Sequence, residues 1–424
     1  MQTSDEIFFQ DFAQKSKDHI SKRIVGIFLE NKELFDTLPE LGKWLSDEMQ
    51  DFACSGKMLR GTLAFVGSRL FHEEGISITD FIDDKVRSVS ASLELFQAGL
   101  LVHDDIMDHD QMRRGKPTFH LRIKNLLEER RPNCNITSAF AIAEAQGICV
   151  GDLFFFLGWQ EISKLDFNIS SLFARELALV TLAQIRDVGF GYSNSYPDIN
   201  EVIEVYRHKT ARYTIVLPLI AGAIISQSSV SHASIANAST SQGTQRMEKS
   251  IFSLLEAFGE SMGIVFQLQD DRLGLFGNEE ETGKPIGSDL KEGKKTPYII
   301  LLVNRLEKKE RERFDSIFAS PKQELKDIEW IRKIVIAKGV EADIQRIIDS
   351  YLLKAQTALN ELSALPSIET KTISLLEGFM QYSGKRSSYE RYISKSFAVI
   401  NIVSRETTQT FWIALKTTVR FTFF

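Results

Sequence analysis

The sequence contains few cysteines and few prolines. Only three cysteines, Cys54, Cys134 and Cys149, occur among 424 residues, and no two of them form a CxxC pair. Neither a disulfide framework nor a zinc knuckle is therefore indicated, and we expect a reducing, cytoplasmic setting. The nine prolines lie mostly between periodic segments. Because proline breaks helix interiors, this distribution permits long helices.

The chain also lacks a strong excess of one charge and a long apolar run. Its formal net charge is -6 at pH 7, which argues against a general nucleic-acid binder. Residues 1–14 are acidic and lack the basic region and apolar core of a signal peptide. No stretch of about 18 apolar residues occurs that could span a bilayer. The sequence therefore predicts a soluble protein with no transmembrane segment.

Apolar residues recur at helical spacing along most of the chain. In the first segment Phe8, Phe12, Ile20, Ile24 and Ile27 follow this spacing. No segment alternates in the way a strand does, and no hairpin dipeptide separates strand-like runs. The sequence therefore predicts an all-α protein.

Two regions differ from this helical body. Residues 227–246 are small and polar and predict a flexible loop. The stretch after about residue 392 becomes rich in Val, Ile, Thr and Phe. We interpret residues 393–424 as an atypical tail, either a partner contact or a poorly ordered segment.

Two aspartate clusters carry the main chemical signal. Asp104 and Asp108 are four residues apart, so they lie on one helix face and repel each other unless a cation lies between them. Mg2+ suits such a pair, because it prefers oxygen ligands from one or two carboxylates and substrate phosphates. A single cluster is equally well explained as a solvated helix end. The second cluster, Asp270 and Asp271, follows an apolar run at 262–266, and the two together predict a Mg2+ site.

Basic residues near these clusters predict an anion. Lys57 and Arg60 are three apart at a predicted helix start, which favours anion binding. Arg113 and Arg114 can bind phosphate through paired guanidinium contacts. Each pair alone is better explained by surface solvation, but beside a Mg2+ site they indicate a diphosphate. Lys284 lies in a stretch similar to a nucleotide-binding P-loop, yet no Ser or Thr follows it and no strand precedes it, so ATP binding is not predicted.

Together these pieces resemble the trans-isoprenyl diphosphate synthases of the polyprenyl synthetase family, and most resemble its geranylgeranyl diphosphate synthases. They occur in the family's order between about residues 20 and 392. The matching segments are Gly56–Arg60, Asp104–Asp108, Arg113–Thr118, Ala145–Asp152, Lys209–Ala211, Phe266–Asp271, Gly283–Leu290 and Gly293–Thr296.

The resemblance implies one catalytic domain, residues 1–392, formed by a bundle of antiparallel helices around a deep central cavity. It also implies a homodimer that joins isopentenyl diphosphate head to tail to an allylic diphosphate, with Mg2+ as cofactor. A class I terpene cyclase is an alternative, but it would not need the isopentenyl diphosphate contacts. A non-catalytic regulatory subunit of a heteromeric synthase is another, although such a subunit would be expected to lose aspartates of the first motif.

The family's residue roles carry over to positions of this sequence that match its motifs. The implied metal-binding residues are Asp104, Asp105, Asp108, Asp270 and Asp271. The allylic diphosphate would be held by Arg113, Lys209 and Lys284. Isopentenyl diphosphate would be held by Lys57, Arg60, Gln97 and Arg114. The catalytic residues would be Lys209, Thr210 and Gln267, the last two with oxygen dipoles facing the developing cation.

Two departures from the family pattern are visible. The second acidic motif usually reads DDxxD, but Gly274 stands at its last position here, so we expect metal binding to survive in weakened form. The family's GQxxD stretch is interpreted as degraded to Gly191-Tyr192-Ser193-Asn194-Ser195. We therefore expect a polar contact to the metal site to be missing.

Product length is inferred from the helix before the first motif, which in this family forms a wall of the elongation pocket. Gly99 is small where a bulky residue would stop growth early, and an interior helix glycine indicates a packing or cavity requirement. Phe96, one turn earlier, is then the candidate floor, with Leu100 beside it. An ordinary core role for Phe96 is the alternative. The prediction is a C20 product, geranylgeranyl diphosphate, with C15 and C25 as alternatives.

Overall fold

The part of the chain that the structure describes is almost entirely helical, as the sequence predicts. The computed structural model describes residues 2–71, 83–130, 136–234, 242–277, 287–320 and 322–384. The first helices are α1 Ser4–Glu30, α2 Lys32–Asp36, α3 Gly42–Cys54, α4 Leu59–Ser68, α5 Asp84–Met107, α6 Phe119–Arg130, α7 Ile136–Ile162, α8 Phe167–Tyr192 and α9 Ile199–Tyr206. A π-helix, Arg207–Val216, follows α9 directly. The remaining helices are α10 Leu217–Ser234, α11 Gln242–Phe276, α12 Ser288–Lys291, α13 Pro297–Val303, α14 Lys308–Ile317, α15 Leu325–Ala337, α16 Val340–Ser363 and α17 Thr370–Gly384.

Two very short strands interrupt the helices between α5 and α6. β1 Met112–Arg113 pairs antiparallel with β2 Lys116–Pro117. Arg114 and Gly115 connect them, both with positive φ, at 53° and 74°. The sequence analysis did not anticipate this hairpin, because a two-residue strand is too short to show alternation.

The apolar core has two parts that share α11. The larger part joins α1, α4, α5, α7 and α10 with the first half of α11, and contains buried aromatic residues such as Phe96 and Phe258. The smaller part joins α9, α13, α15 and α16 with the second half of α11, around residues such as Leu268 and Tyr298. Helix α11 therefore connects the two parts of the core.

The π-helix is held in place by a charged cluster. Arg212 donates from Nε to Glu176 Oε2 at 2.9 Å and from Nη1 to Glu260 Oε1 at 2.8 Å. Because Glu176 lies on α8 and Glu260 on α11, Arg212 joins three elements. π-Helical turns are rare and frequently occur at functional sites. This one carries Lys209 and Thr210.

Among the described residues, three helical stretches are long and apolar enough to cross a membrane by length and composition alone, which contradicts the expectation that no stretch could span a bilayer. They are Ala139–Ile162, Ile199–Gln227 and Ser250–Phe276. The absence of a transmembrane segment stays a prediction. The mean hydropathy of a helix stays high when a few polar residues are scattered along it, so such helices are easily overlooked in the sequence. In the second stretch, 83% of the most apolar window is buried inside the protein, so core packing accounts for its apolar character.

The loop predicted at 227–246 is contradicted at both of its ends. Helix α10 continues to Ser234 and α11 begins at Gln242, so the flanking parts of 227–246 are helical. Small residues such as Ala and Ser are compatible with a helix, which is why polarity alone overestimated the loop. Residues 235–241 lie outside the described residues. The tail 393–424 also does, and the domain boundary at 392 stays a prediction.

Candidate active site

The first aspartate cluster lies at the carboxyl end of α5. Asp108 is the C-cap of this helix, where the helix dipole disfavours negative charge and makes cationic partners valuable. Gln184 Nε2 donates to Asp104 Oδ1 at 3.2 Å. Lys294 Nζ donates to Asp108 Oδ2 at 3.0 Å. Asp104 and Asp108 thus face polar groups from other elements, as a shared ion site requires.

Asp105 points to the interior. Arg113 Nε donates to its Oδ1 at 2.7 Å, while its Oδ2 is buried without a hydrogen-bond partner among the described residues. Burial raises the pKa of Asp105 to about 6, against the opposing effect of Arg113. Asp105 therefore orients Arg113 and the hairpin, whereas its neighbour Asp104 lies on the exposed side of the helix.

The second cluster shows the same division between an inward and an outward acid. Tyr206 donates its hydroxyl to Asp271 Oδ2 at 2.6 Å, and Gln267 Nε2 donates to Asp271 Oδ1 at 3.2 Å. Burial raises the pKa of Asp271 to about 8. Asp270 is only half-buried.

The two side chains expected to face the developing cation, Thr210 and Gln267, are also in contact. Thr210 Oγ1 donates a hydrogen bond to Gln267 Oε1 at 2.8 Å.

Two lysines lie among these acids. Lys209 Nζ is 2.6 Å from Asp187 Oδ2 and 3.9 Å from Asp104 Oδ1. Burial lowers its pKa, but the two carboxylates outweigh that effect and the pKa of Lys209 is raised. Lys294 Nζ is 3.9 Å from Asp289 Oδ1 in addition to its contact with Asp108. Each ammonium therefore contacts acids from different elements.

Gln184 and Asp187 show that the family's GQxxD stretch was assigned to the wrong segment. They lie in Ala183-Gln184-Ile185-Arg186-Asp187 on α8, and contact Asp104 and Lys209 respectively. The expectation that this polar support is missing is therefore wrong. The sequence analysis required a glycine at the first position and so missed the spacing of Gln and Asp, which was visible.

The segment chosen instead, Gly191–Ser195, has a different role. It ends α8, and its carbonyls are acceptors for Lys295. Lys295 Nζ donates to Phe190 O at 2.7 Å and to Ser195 O at 2.9 Å, and also contacts Ser193 O. A lysine at the carboxyl end of a helix satisfies backbone groups that have no partner within the helix.

The residues expected to hold isopentenyl diphosphate are arranged less regularly than predicted. Helix α4 begins at Leu59, after Met58 with a left-handed φ of 50°. Lys57 therefore precedes the helix and is exposed, so it does not share a helix face with Arg60. Arg60 donates from Nη2 to Thr214 Oγ1 at 2.7 Å, while its Nε is buried without a hydrogen-bond partner among the described residues.

Glu94 is a buried acid in this region that the sequence analysis missed. Its Oε1 accepts a hydrogen bond from Gly61 N at 2.9 Å. Burial raises its pKa, and Arg60 and Arg114 oppose that rise. Arg114 donates from Nη1 to Ser55 Oγ at 3.0 Å. Gln97, one turn after Glu94, is half-buried. Glu94 thus lies close to both predicted arginines.

Gly99 does not face open space. A Cβ built at Gly99 would lie 2.7 Å from Gly151 O and 2.7 Å from Phe155 Cε1, so this glycine permits the close contact of α5 with α7. Phe155 therefore fills the space beside Gly99 that was expected to be open to the growing product. Phe96 is fully buried, with ring centroids 5.5 Å from Trp159 and 6.0 Å from Phe173. Leu100 is half-buried.

The donor set fits Mg2+ held jointly with a substrate. Among the described residues, no three His, Cys, Asp or Glu side chains are close enough to hold a metal ion by themselves. Mg2+ is usually bound by one or two carboxylates together with waters and substrate phosphates, and does not need an all-protein cage. Asp104 and Asp108 match that requirement. Lys284 lies outside the described residues, and its role stays a prediction.

Known proteins are similar to this chain in sequence and in fold. A family model described as Polyprenyl synthetase matches residues 42–335. The short chain isoprenyl diphosphate synthase of Methanocaldococcus jannaschii is 27% identical over 322 residues, which covers 74% of this chain and 84% of that protein. The geranylgeranyl diphosphate synthase of Sulfolobus acidocaldarius is 28% identical over 338 residues, covering 77% and 87%.

A solved structure shows the same architecture. The geranylgeranyl pyrophosphate synthase of Corynebacterium glutamicum, complexed with isoprenyl diphosphate and magnesium, has a TM-score of 0.74 and 22% identity to this chain. The match covers 88% of this chain and 99% of that structure. It confirms the predicted all-α fold of the isoprenoid synthase type.

The raised pKa of Asp271 leads us to expect that the stability of the protein depends on pH. Its pKa of about 8 in the folded protein exceeds the ordinary value of 3.8, so the folded state binds more protons between these values and stability falls as pH rises. With metal chelated by EDTA, Asp271→Asn should gain stability relative to wild type from pH 5 to pH 9, by at least about 1.4 kcal/mol, the equivalent of one pKa unit. Urea unfolding measures it.

Asp349 on α16 provides the matched control, because it is exposed and, within the part of the chain that the structure describes, accepts a hydrogen bond from Gln345. Asp349→Asn should change stability equally at both pH values. An equal shift for Asp271→Asn would show that the Asp271 carboxyl titrates normally.

Proposed function

Because this chain belongs to the polyprenyl synthetase family and is a prenyltransferase, we propose that it joins isopentenyl diphosphate head to tail to an allylic diphosphate with Mg2+. The product we propose is geranylgeranyl diphosphate, C20. The observation that carries the proposal is the arrangement of the two aspartate clusters. Lys209 contacts Asp104, and Lys294 contacts Asp108, while Thr210 and Gln267 meet beside the second cluster.

The two clusters are suited to binding a diphosphate. Mg2+ bound by Asp104, Asp108 and Asp270 would supply positive charge to the departing diphosphate. Lys209 adds a fixed cation beside Asp104. Arg113 adds another, since its Nη2 is 3.9 Å from Asp104 Oδ2. Fixed charges of this kind stabilise a developing anion without reorganising during the reaction.

Thr210 and Gln267 would act on the carbon side of the breaking bond. Their hydrogen bond joins the π-helix to α11. Oxygen dipoles held in this way can face the positive charge that develops on the allylic carbon. In the product-forming step the double bond of isopentenyl diphosphate attacks that carbon, and a proton leaves, which the released diphosphate can accept.

Arg60, Arg114, Lys57 and Gln97 would hold isopentenyl diphosphate. The strongest support is Arg60, because its buried Nε has no hydrogen-bond partner among the described residues. A buried donor without a partner is costly, and an anion would satisfy it. Glu94 keeps the site from carrying uncompensated positive charge, because it lies beside both arginines.

The fold also bears on product length. Phe96, Phe155, Trp159 and Phe173 form an aromatic cluster where α5 meets α7 and α8. We propose that this cluster is the floor of the elongation pocket. The named relatives include a geranylgeranyl diphosphate synthase, which supports C20 as the product.

We further propose that the enzyme is a homodimer. Consecutive helices α7 and α8 both expose large apolar side chains. Phe156 on α7 is 67% exposed, and Leu182 and Ile185 on α8 are 62% and 65% exposed. Patches of this kind on a helical protein mark interaction surfaces. A second copy of the chain would cover them.

The terpene cyclase and regulatory-subunit alternatives have less support. A cyclase would not require the Arg60 site. A non-catalytic subunit would not require the pairing of Asp104 and Asp108 with Gln184 and Lys294.

A product assay tests the reaction. Purified protein with Mg2+ and labelled isopentenyl diphosphate should convert C5, C10 and C15 allylic diphosphates to a discrete C20 alcohol after dephosphorylation. Asp104→Asn and Asp270→Asn should each lower kcat roughly 100-fold or more at saturating Mg2+, the scale of losing one electrostatic stabiliser. Asp349→Asn should retain wild-type turnover. Near-normal kcat in the two site variants would show that these residues do not bind the metal.

Phe96→Ala should lengthen the product beyond C20, because truncation opens space inside the aromatic cluster. Chromatography of the prenyl alcohols measures the length. Phe379→Ala, which truncates a fully buried ring in the α1–α17 contact, should lose stability without changing product length. An unchanged length for Phe96→Ala would exclude this ring as the floor.

Light scattering after size exclusion tests the dimer. Wild type should have twice the chain mass of 48.1 kDa, and Leu182→Glu with Ile185→Glu should give the monomer mass, because buried unpaired charges oppose association. Leu353→Glu is the control, since Leu353 is an exposed leucine on α16, 69% accessible. A monomeric wild type that lacks activity would point to a missing partner chain.

A further inference from the structure

Gly274 lies where the last acid of the second motif is expected. It follows Asp270 by four residues on α11, so a side chain at 274 would share the face of Asp270. That volume is already filled. A Cβ built at Gly274 would lie 1.9 Å from Asp289 Oδ2 and 2.8 Å from Asp289 Cγ. A carboxylate therefore occupies this position, but it comes from α12.

The loop geometry holds Asp289 in this place. Gly287 has a φ of 76°, a left-handed conformation at the residue before α12 that glycine adopts at little cost. Lys294 N donates to Asp289 O at 2.9 Å, which closes the turn after α12. The backbone that carries the carboxylate is therefore held on both sides of Asp289.

Asp289 also faces the first aspartate cluster. Lys294 Nζ is 3.9 Å from Asp289 Oδ1 and 3.0 Å from Asp108 Oδ2. One ammonium thus contacts a carboxylate of the first cluster and the carboxylate that lies at Gly274. This arrangement places Asp289 on the side of α11 that faces the proposed diphosphate site.

We propose that Asp289 supplies the third carboxylate of the second aspartate cluster in place of residue 274, and that with Asp270 it binds the divalent cation accompanying the substrate diphosphate. The inference rests on the proposed function. It replaces the expectation of weakened metal binding. The carboxylate expected at position 274 is still present at that place in the structure, but it belongs to a residue further along the sequence.

The competing explanation is that Asp289 only neutralises Lys294. Lys294 does not depend on it for that purpose, since Asp108 and Glu292 contact the same ammonium at 3.0 and 2.8 Å. The explanations differ in what happens when the carboxylate is moved to position 274. A carboxylate that binds the metal can act from either position if it reaches the same place. A carboxylate that only pairs with Lys294 need not restore metal binding when it is moved to position 274.

A carboxylate swap in the full-length protein tests the proposal. The variants are Asp289→Gly, Gly274→Asp, and the double variant that carries both changes. Calorimetry would measure Mg2+ binding in the presence of inorganic pyrophosphate, and product assays would measure the Mg2+ dependence of turnover. Thermal unfolding would report whether each variant folds.

Asp289→Gly should weaken Mg2+ binding at least tenfold. Gly274→Asp alone should also lose affinity, because its new Cβ would clash with the Asp289 carboxylate. The double variant should recover affinity to within about threefold of wild type, the non-additivity expected of residues in contact. Asp289→Asn, which keeps the volume of the side chain, should show the same loss as Asp289→Gly. Asp349→Asn should match wild type.

Unchanged Mg2+ affinity in Asp289→Asn would overturn the inference and leave the proposed function intact. A double variant no better than Asp289→Gly would also overturn it. Wild-type protein that neither binds Mg2+ with pyrophosphate nor transfers a prenyl group would overturn the proposed function, and the inference with it.

Discussion

Repulsion between carboxylates drawn from different helices is the constraint on which this site depends. Asp104 and Asp108 end α5, while Asp270 lies on α11 and Asp289 on α12. Like charges gathered at one site destabilise the fold unless cations lie between them. Lys209 and Lys294 meet that need, because each contacts acids from more than one element. The proposed chemistry uses the same property, since a site that holds cations between carboxylates can also hold Mg2+ and a diphosphate.

Each aspartate cluster combines an inward acid with outward ones. Asp105 and Asp271 are buried and bonded to Arg113 and Tyr206, and burial raises the pKa of both. These two buried acids link the helix ends to the surrounding structure. The acids next to them in sequence, Asp104 and Asp270, are left on the more exposed side of each helix. The Arg212 cluster does the same for the π-helix, on which Lys209 and Thr210 lie. Buried ionisable groups are costly by themselves, so their presence at three points around one site indicates that positioning there is important.

Much of the site could be predicted from the chain because helical spacing is a local property. The pairing of Asp104 with Asp108 follows from a separation of four residues, and the same holds for Asp270 and Gly274. The errors have local causes as well. The QxxD spacing at Gln184 was missed because a glycine was expected before the glutamine. Lys57 was assigned to a helix that begins only after Met58, which adopts a left-handed conformation. The volume beside Gly99 was misjudged because the residue that fills it, Phe155, lies on another helix.

The sequence by itself determined the all-α class, the two aspartate clusters, most of the basic residues around them and the family to which the chain belongs. These depend on residue type and on spacings of three or four positions, which a helix converts directly into a shared face. Only the tertiary structure decided which acids each lysine contacts, that Phe155 fills the space beside Gly99, and that Asp289 lies at Gly274. Such contacts join residues far apart in sequence, and no helical period relates them. They are set by how the helices pack.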